Sequence, residues 1–502
     1  MTTASSKTAG HYDVIIVGAG LSGVCTAWHL QKHRPQDRVL IIEARESVGG
    51  TWDLFRYPGV RSDSDMPTLG YAFRPWLERD SIAHGERIRN YIEQTASDSG
   101  LLEQIRFGHK LLRADWSSDG GMWTLHTQTA EGEQQLHTRF LMMCTGYYDY
   151  DQGHTPDWPG LQQFAGPVVH PQHWPDDLNW KDKRVAVIGS GATAVTLIPS
   201  LAEDARRVTM VQRTPTYIAE MPARDALARW CHRHLGPRLA HWLTRWKNIL
   251  YTMFTYQLSR RFPEFMRRQL LSQVREAVDG KLDVDKHFSP PYKPWDQRLC
   301  LAPDGDFFAA IRAGKVDVAT GDIKSIDATG LTLQDDTRVD VDILVTATGL
   351  SLKVAGGADL YVDGHRVRAA RRTTYKGAML SGVPNLALTM GYTNASWTLK
   401  CELIAEWVVR LRDHMEAAGK SVVLPLGPRT RGDRAFIDLD AGYIRRADHL
   451  LPRQSQAHPW RVNQNYFQDL RAFRWSRVDD GALEFLSVGD NMSWEPARGA
   501  GS

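Results

Sequence analysis

Glycines at fixed spacing carry the first chemical signal. The apolar run Asp13–Val17 (DVIIV) leads into Gly18-Ala-Gly20-Leu-Ser22-Gly23, a GxGxxG pattern, and then into VCTAWHLQK. Gly18 permits a tight turn, Gly20 lets a pyrophosphate approach the backbone, and Gly23 lets helix and strand pack closely. A helix that starts here, with Ser22 in its first turn, offers unpaired N–H groups and its positive dipole end to phosphates. The next apolar run, VLII, ends at Glu43, 20 residues after Gly23. A carboxylate at that distance accepts hydrogen bonds from ribose hydroxyls. The chemistry is dinucleotide binding.

A second unit of the same kind begins at Arg184–Ile188 (RVAVI). Gly189-Ser190-Gly191-Ala192-Thr193-Ala194 forms GxGxxA, and VTMVQ then ends in Arg213-Thr214, with Arg213 22 residues after Gly191. A cation there cannot serve a ribose 2′-hydroxyl as a carboxylate does, but it suits a 2′-phosphate, so this site reads as NADPH. At the first site, Gly49-Gly50-Thr51-Trp52 follow shortly after Glu43. This resembles flavoproteins with the same fingerprint, in which a glycine pair at this distance lets a loop lie against the cofactor, and the resemblance favours FAD over NAD at the first site. A nicotinamide that can reduce a flavin is thus expected within one chain.

The elements that must position these groups are two strand–turn–helix units. FLMMCTG closes at Gly146 and DILVTATG at Gly349, which marks where the chain crosses between domains. The expected fold is α/β, with two Rossmann-like dinucleotide-binding domains, the second inserted in the first, plus a helical insert. The expected division is 1–146 and 349–502 for the FAD domain, 147–222 and 292–348 for the linker and NADPH domain, and 223–291 for the insert. From Met221 to Gly280 there are 11 Lys and Arg against 4 Asp and Glu, a net +7. Trp242, Trp246, Ile249, Leu250 and Met253 recur there at helical spacing. The segment reads as an amphipathic subdomain of the NADPH domain, and its composition also suits peripheral contact with an anionic membrane through 221–280.

Between the two sites stands Phe164-x-Gly166-x-x-x-His170-x-x-x-Trp174-Pro175. This FxGxxxHxxxWP run resembles the fingerprint of type I Baeyer–Villiger monooxygenases at every fixed position. The segments 49–76, 170–175, 292–306 and 392–400 resemble the ethionamide-activating subgroup, and the likeness covers nearly the whole chain. The resemblance implies FAD, NADPH and O2. It implies insertion of one oxygen atom beside a ketone carbonyl through a C4a-peroxyflavin, giving an ester or lactone, and oxidation of thioethers. It places the catalytic arginine on Arg298 in WDQRL and its aspartate partner on Asp63 in RYPGVRSD, with Asp65 the competing register. It implies cofactor contacts at Gly50, Thr51, Trp52 and Asp53 and at Arg61, Ser62 and Asp63, and puts Asn394 and Trp397 near the flavin or the substrate cavity. Gln297 stands where many members carry a Lys that helps hold the 2′-phosphate; Lys293 is a candidate substitute. His170 reads as a linker residue that couples domain movement to cofactor binding rather than as a base.

Composition limits the alternatives. A net charge of +3 on 502 residues gives no reason to expect nucleic acid. Five Cys without a CxxC pair exclude a dithiol reductase, argue against a disulfide framework and suit a reducing cytoplasm. No metal-ligand spacing and no nucleophile elbow is present. The first twelve residues lack the apolar core of a signal peptide, and no apolar run is long enough to span a bilayer. An S- or N-oxygenating flavin monooxygenase and a non-catalytic flavin redox sensor remain as alternatives. Substrate choice and oligomeric state are left open. Tryptophan is unusually common at 17, and Trp52, Trp174, Trp295 and Trp397 all fall in the motifs above.

Overall fold

The computed structural model describes residues 10–428 and 432–490; the outer ends of the first and last expected segments, 1–9 and 491–502, lie outside the described residues. The apolar runs of the first unit form parallel strands buried on both faces, as runs of Val, Ile and Leu without alternation should. His11–Val17 pairs in parallel with Val39–Ile42 on one side and with Gly132–Met143 on the other. Ile105–Arg106 and Leu386–Leu388 extend the parallel part, while Lys110–Ser117 and Met122–Thr129 form an antiparallel meander on Gly132–Met143. Asp359–Val362 and His365–Arg366 complete a nine-stranded sheet.

The second sheet is parallel throughout, in the order Val316–Thr320, Arg207–Gln212, Arg184–Ile188, Ile343–Thr346 and Val168–Val169. All five strands lie in sequence between Gly132–Met143 and Asp359–Val362 of the first sheet. One Rossmann-like unit is therefore inserted in the other, as expected. The two crossings run side by side: Tyr148–Gly153 and Leu350–Leu352 pair as an antiparallel ribbon.

The helical insert departs from expectation. It comprises Ala226–His234, Pro237–Arg261, Pro263–Val278 and Val284–His287. Pro263–Val278 packs on the core of the second sheet through Leu271, Val274 and Val278. The long helix Pro237–Arg261 instead puts Ile249 and Met253 into the core of the first sheet, with Met66 and Leu69. Arg245, counted among the basic surface residues, is buried there. Its guanidinium pairs with Glu402 and donates to the carbonyls of Pro67 (2.9 Å) and Gly70 (2.7 Å). The apolar residues expected on one face are split: Ile249 and Met253 face inward, Trp242 and Leu250 face solvent.

Two buried histidines set an acid limit on stability. Burial holds His29 down to about 4, with Glu406 opposing, and holds His241 down to about 4, with Arg245 adding to the effect. The unfolded chain takes up these protons near pH 6.5 and the folded chain only near 4. Their stabilisation is therefore complete above 6.5 and is lost as pH falls towards 4, at on the order of 3 kcal/mol per histidine over the whole window. Urea unfolding between pH 7 and 4.5 should show midpoints falling with acid, and a His29→Gln, His241→Gln double variant should flatten that slope.

Candidate functional site

A cavity of about 540 Å³ opens at the carboxyl ends of the first sheet's strands, where open α/β sheets bind ligands. Its floor is the first glycine turn. Gly18 has φ 105°, and a Cβ on Gly23 would lie 1.8 Å from the Gly18 carbonyl oxygen, so helix Leu21–His33 starts pressed against the strand. Gly20 caps that helix without a side-chain hydrogen bond, and no acid occupies its first turn. The N–H groups of the turn thus face a cavity that Gly18, Gly20, Leu21 and Ser22 line. Glu43 lines it too. One carboxylate oxygen accepts from the Ala19 N–H (2.7 Å) and the other from the Arg45 N–H (2.9 Å). Burial pushes its pKa up while these donors pull it back. Each oxygen keeps a lone pair for a hydroxyl. A backbone cradle, an uncapped helix start and a carboxylate beyond it fit a dinucleotide.

Gly50, Thr51, Trp52, Arg61 and Asp63 also line the cavity. Gly50, at φ 56°, lies over Gly20, to whose Cα a Cβ on Gly50 would come within 3.1 Å. Three expected cofactor contacts lie elsewhere. Gly23 lies beneath the turn as a packing glycine. Asp53 is buried behind the loop and pairs with Arg45 (2.6 Å), Arg56 (2.6 Å) and Arg89 (3.7 Å); against burial, a hydrogen bond from Ser47 and the Arg45 and Arg56 guanidiniums hold its carboxylate below the usual range. Ser62 is buried and exchanges hydrogen bonds with Ala83. Arg61 reaches across to Asp306 of the second unit.

The second helix start meets the same cavity through Ala192 and Thr193. The other residues of that motif stand outside it. Gly189, at φ 136°, lies against the Ala347 carbonyl, 2.2 Å from where its Cβ would be. Ser190 Oγ donates to the Thr214 carbonyl (3.0 Å), Gly191 is exposed and Ala194 is core. Arg213 is exposed and pairs with no carboxylate among the described residues. Arg446 stands close enough for Arg213 to disfavour its charge, after burial, and donates to the Leu350 carbonyl (3.4 Å). Lys293 is exposed and Gln297 half-buried.

Arg298 and Asp63 meet in the cavity wall, Nη2 to Oδ2 2.8 Å apart; both side chains are about a third exposed, 32% and 35%. Burial acts to lower the Arg298 pKa, but the Asp63 carboxylate and the phenols of Tyr147, Tyr443 and Tyr148 outweigh it and raise it. The guanidinium is thus a permanent cation. Asp65 is spent otherwise: it caps helix Met66–Leu69 at Thr68 N–H (3.0 Å) and accepts from Asn248 (2.7 Å). The sequence reading missed the tyrosines. Tyr147 and Tyr148 are linked through their hydroxyls (3.3 Å) and, with Tyr150, line the cavity; Tyr443 is pushed up to about 12 by burial. The signal available was GYYDY directly after a strand end, a place where sites concentrate. Trp397 lines the cavity 5.2 Å from the Tyr147 ring, and Gly391 leaves it room. Asn394 lies behind the wall, donating to the Gln464 carbonyl (3.0 Å) with its own oxygen buried and unpartnered.

The FxGxxxHxxxWP linker lies away from the cavity. Phe164 is core, and a Cβ on Gly166 would be 2.2 Å from the Asp342 carbonyl. His170 Nδ1 accepts from the Gln172 N–H (3.2 Å), so Nε2 carries the proton, which points to the Gly349 carbonyl (3.2 Å). With both ring nitrogens committed and burial lowering its pKa, His170 is a neutral tie between the two crossings. Trp174, followed by the half-exposed Pro175, packs edge-on to Trp180. Spacing also missed one cluster: Cys25, His29 and Glu402 put ligand-type atoms within 4.8 Å of one another. There the Glu402 oxygens are taken by Arg245 and the Ala72 N–H.

The fold agrees with comparison to known proteins. Residues 79–359 match the flavin-binding monooxygenase-like family and residues 16–76 an NAD(P)-binding Rossmann-like domain. The chain is 50% identical over 478 residues to the FAD-containing monooxygenase EthA of Mycolicibacterium smegmatis, covering 95% of this chain and 97% of that one. In structure it resembles an oxidised steroid monooxygenase bound to NADP (TM-score 0.71, 22% identity, 95% and 100% covered). It also resembles OTEMO in complex with FAD and NADP (TM-score 0.68, 23% identity, 82% and 87% covered).

Proposed function

This chain belongs to the flavin-binding monooxygenase-like family, and from that premise we propose that it inserts one atom of O2 beside a ketone carbonyl, giving an ester or lactone, and also oxidises thioethers at sulfur. It is a flavin-dependent monooxygenase that uses FAD and NADP(H). The observation that carries the finer reading is a single cavity that joins two uncapped helix starts and has the Arg298–Asp63 pair in its wall. When bound, FAD would take a hydride from NADPH and, once reduced, activate O2. The chain supplies the rest. Gly18, Gly20 and the first turn hold the pyrophosphate, and Glu43 holds the ribose. Arg298 keeps a fixed positive charge where negative charge develops, which is worth most in a site shut off from water. Asp63 orients that fork, and Tyr147 and Trp397 close the wall around it. On this reading the domains divide at 146, 222, 291 and 348.

The test is product analysis with NADPH, ¹⁸O₂ and a panel of ketones, thioethers and thioamides. Esters carrying one ¹⁸O are expected. NADPH consumption that yields only hydrogen peroxide would overturn the reading, and sulfur oxides without any ester would reduce it to S-oxygenation.

Arg213 and Arg446, close enough for one to disfavour the other's charge, are proposed to hold the 2′-phosphate in place of the Lys that Gln297 replaces. Removing a charge-assisted hydrogen bond costs about 1.5–3 kcal/mol. Arg213→Ala should therefore raise the Kd for NADP⁺ about 10–100-fold and leave NAD⁺ binding unchanged, as read by calorimetry; Arg446→Ala should act in the same direction.

A further inference from the structure

The long insert helix faces many of its apolar residues outward. Its buried side carries His241, Thr244, Arg245, Asn248 and Ser259 along with Ile249 and Met253. Its solvent side carries Leu239, Trp242, Leu243, Leu250, Tyr251 and Phe254, with Trp242 56% and Phe254 65% exposed. Positions 239, 243, 250 and 254 follow helical spacing down one side, with Trp242 beside them. Leu227 and Trp230 of the preceding helix, and Phe262 and Phe265 at the start of the next, are also exposed. Exposed apolar residues grouped on neighbouring helices in this way mark a contact surface.

The surrounding charge identifies the occupant. Arg224, Lys247, Arg260 and Arg275 each pair with an aspartate. Arg229, Arg233, Arg238, Arg261 and Arg268 are exposed at this surface and pair with no carboxylate among the described residues. A two-fold contact with a second copy would set these five arginines against themselves. A surface of phosphate headgroups would neutralise them while the Trp, Phe and Leu side chains enter the acyl boundary.

We propose that the outward face of residues 226–265 seats on an anionic phospholipid bilayer, lying in the interface rather than crossing it. No helix among the described residues is long and apolar enough to cross a membrane. The same helix touches the segments that carry two cavity residues: Asn248 donates to Asp65, two residues after Asp63, and Tyr256 meets the ring of Trp295, three residues before Arg298, at 5.5 Å. If the reading above holds, an apolar substrate dissolved in the bilayer meets the enzyme beside its site.

The test is sedimentation of the FAD-loaded enzyme with vesicles of phosphatidylcholine alone or mixed with phosphatidylglycerol, at low and at high salt. At low salt the anionic vesicles should carry down at least about ten-fold more enzyme than the neutral ones, and high salt should release it. Leu250→Glu with Phe254→Glu should abolish binding with the flavin spectrum and NADPH oxidation unchanged. Arg229→Gln, Arg233→Gln and Arg238→Gln together should remove the anionic preference. No binding of the wild type at low salt overturns the proposal, as does full binding by the Leu250→Glu, Phe254→Glu variant. A wild-type dimer that this variant converts to a monomer, with no vesicle binding, would instead make the face a contact between copies and overturn it too. None of these outcomes depends on which substrate is oxygenated, so the proposal fails separately from the enzymatic reading.

Discussion

Replacing Arg298 by Ala is expected to lower oxygenated product by about 10²–10³-fold, the usual cost of losing one preorganised donor at a developing anion. FAD content should be preserved, because Arg298 pairs with Asp63 in the cavity wall and takes no part in holding the turn. NADPH should still be consumed, with the electrons lost to hydrogen peroxide. Two companions separate charge from geometry. Arg298→Lys keeps the charge but loses the planar fork that meets Asp63 at 2.8 Å, and should recover only part of the activity. Asp63→Asn leaves the cation unoriented and should cost about 10–100-fold, a charged hydrogen bond being worth roughly 1.5–3 kcal/mol. The readout is ester formed per NADPH oxidised. A ratio unchanged in Arg298→Ala would remove Arg298 from the chemistry.

Gly23→Ala is expected to cost more than its single methyl suggests. The added Cβ would lie 1.8 Å from the Gly18 carbonyl oxygen, a backbone atom held by the buried strand beneath it. Neither side can yield cheaply, so destabilisation of more than about 3 kcal/mol is expected, together with protein purified largely without flavin. Gly20→Ala is the informative contrast. Its Cβ would meet nothing nearer than Gly50 Cα at 3.5 Å, so the apoprotein should fold normally while the methyl blocks the approach of the pyrophosphate. Flavin absorbance of the dialysed proteins and urea unfolding of their apo forms distinguish the two. Equal flavin content in Gly20→Ala and wild type would contradict the cradle.

These contrasts show what was legible in the sequence. Local patterns were: both glycine turns, Glu43 at its strand end, and the inserted second unit follow from short-range spacing. The pairing of Arg298 with Asp63 was reached through motif register, and Asp65 lost to it because a cap at Thr68 consumes its oxygens. What depended on distant partners was hidden. Asp53 was expected at the cofactor because it follows the Gly49-Gly50 pair, yet Arg45, Arg56 and Arg89 draw it behind the loop. The tyrosines around Arg298 come from 147–148 and from 443, two places no window joins. Helical period showed that the residues near 250 favour a helix but not which side faces the core. That side is chosen by Arg245, whose partner Glu402 lies on a helix that follows the whole second unit.

The inserted topology also sets an order of events during synthesis. Strand Gly132–Met143, buried in the finished sheet, takes Leu386–Leu388 as its parallel neighbour, and that segment leaves the ribosome roughly 240 residues later. At about 5–20 residues per second this leaves the apolar edge Phe140–Met143 unpaired for on the order of 10–50 s. An open strand edge of that kind is a template for pairing between nascent chains. Yield of intact enzyme should therefore respond to translation speed and to chaperone supply, and a chain stopped after Gly349 should aggregate even though every strand of its second sheet is already present.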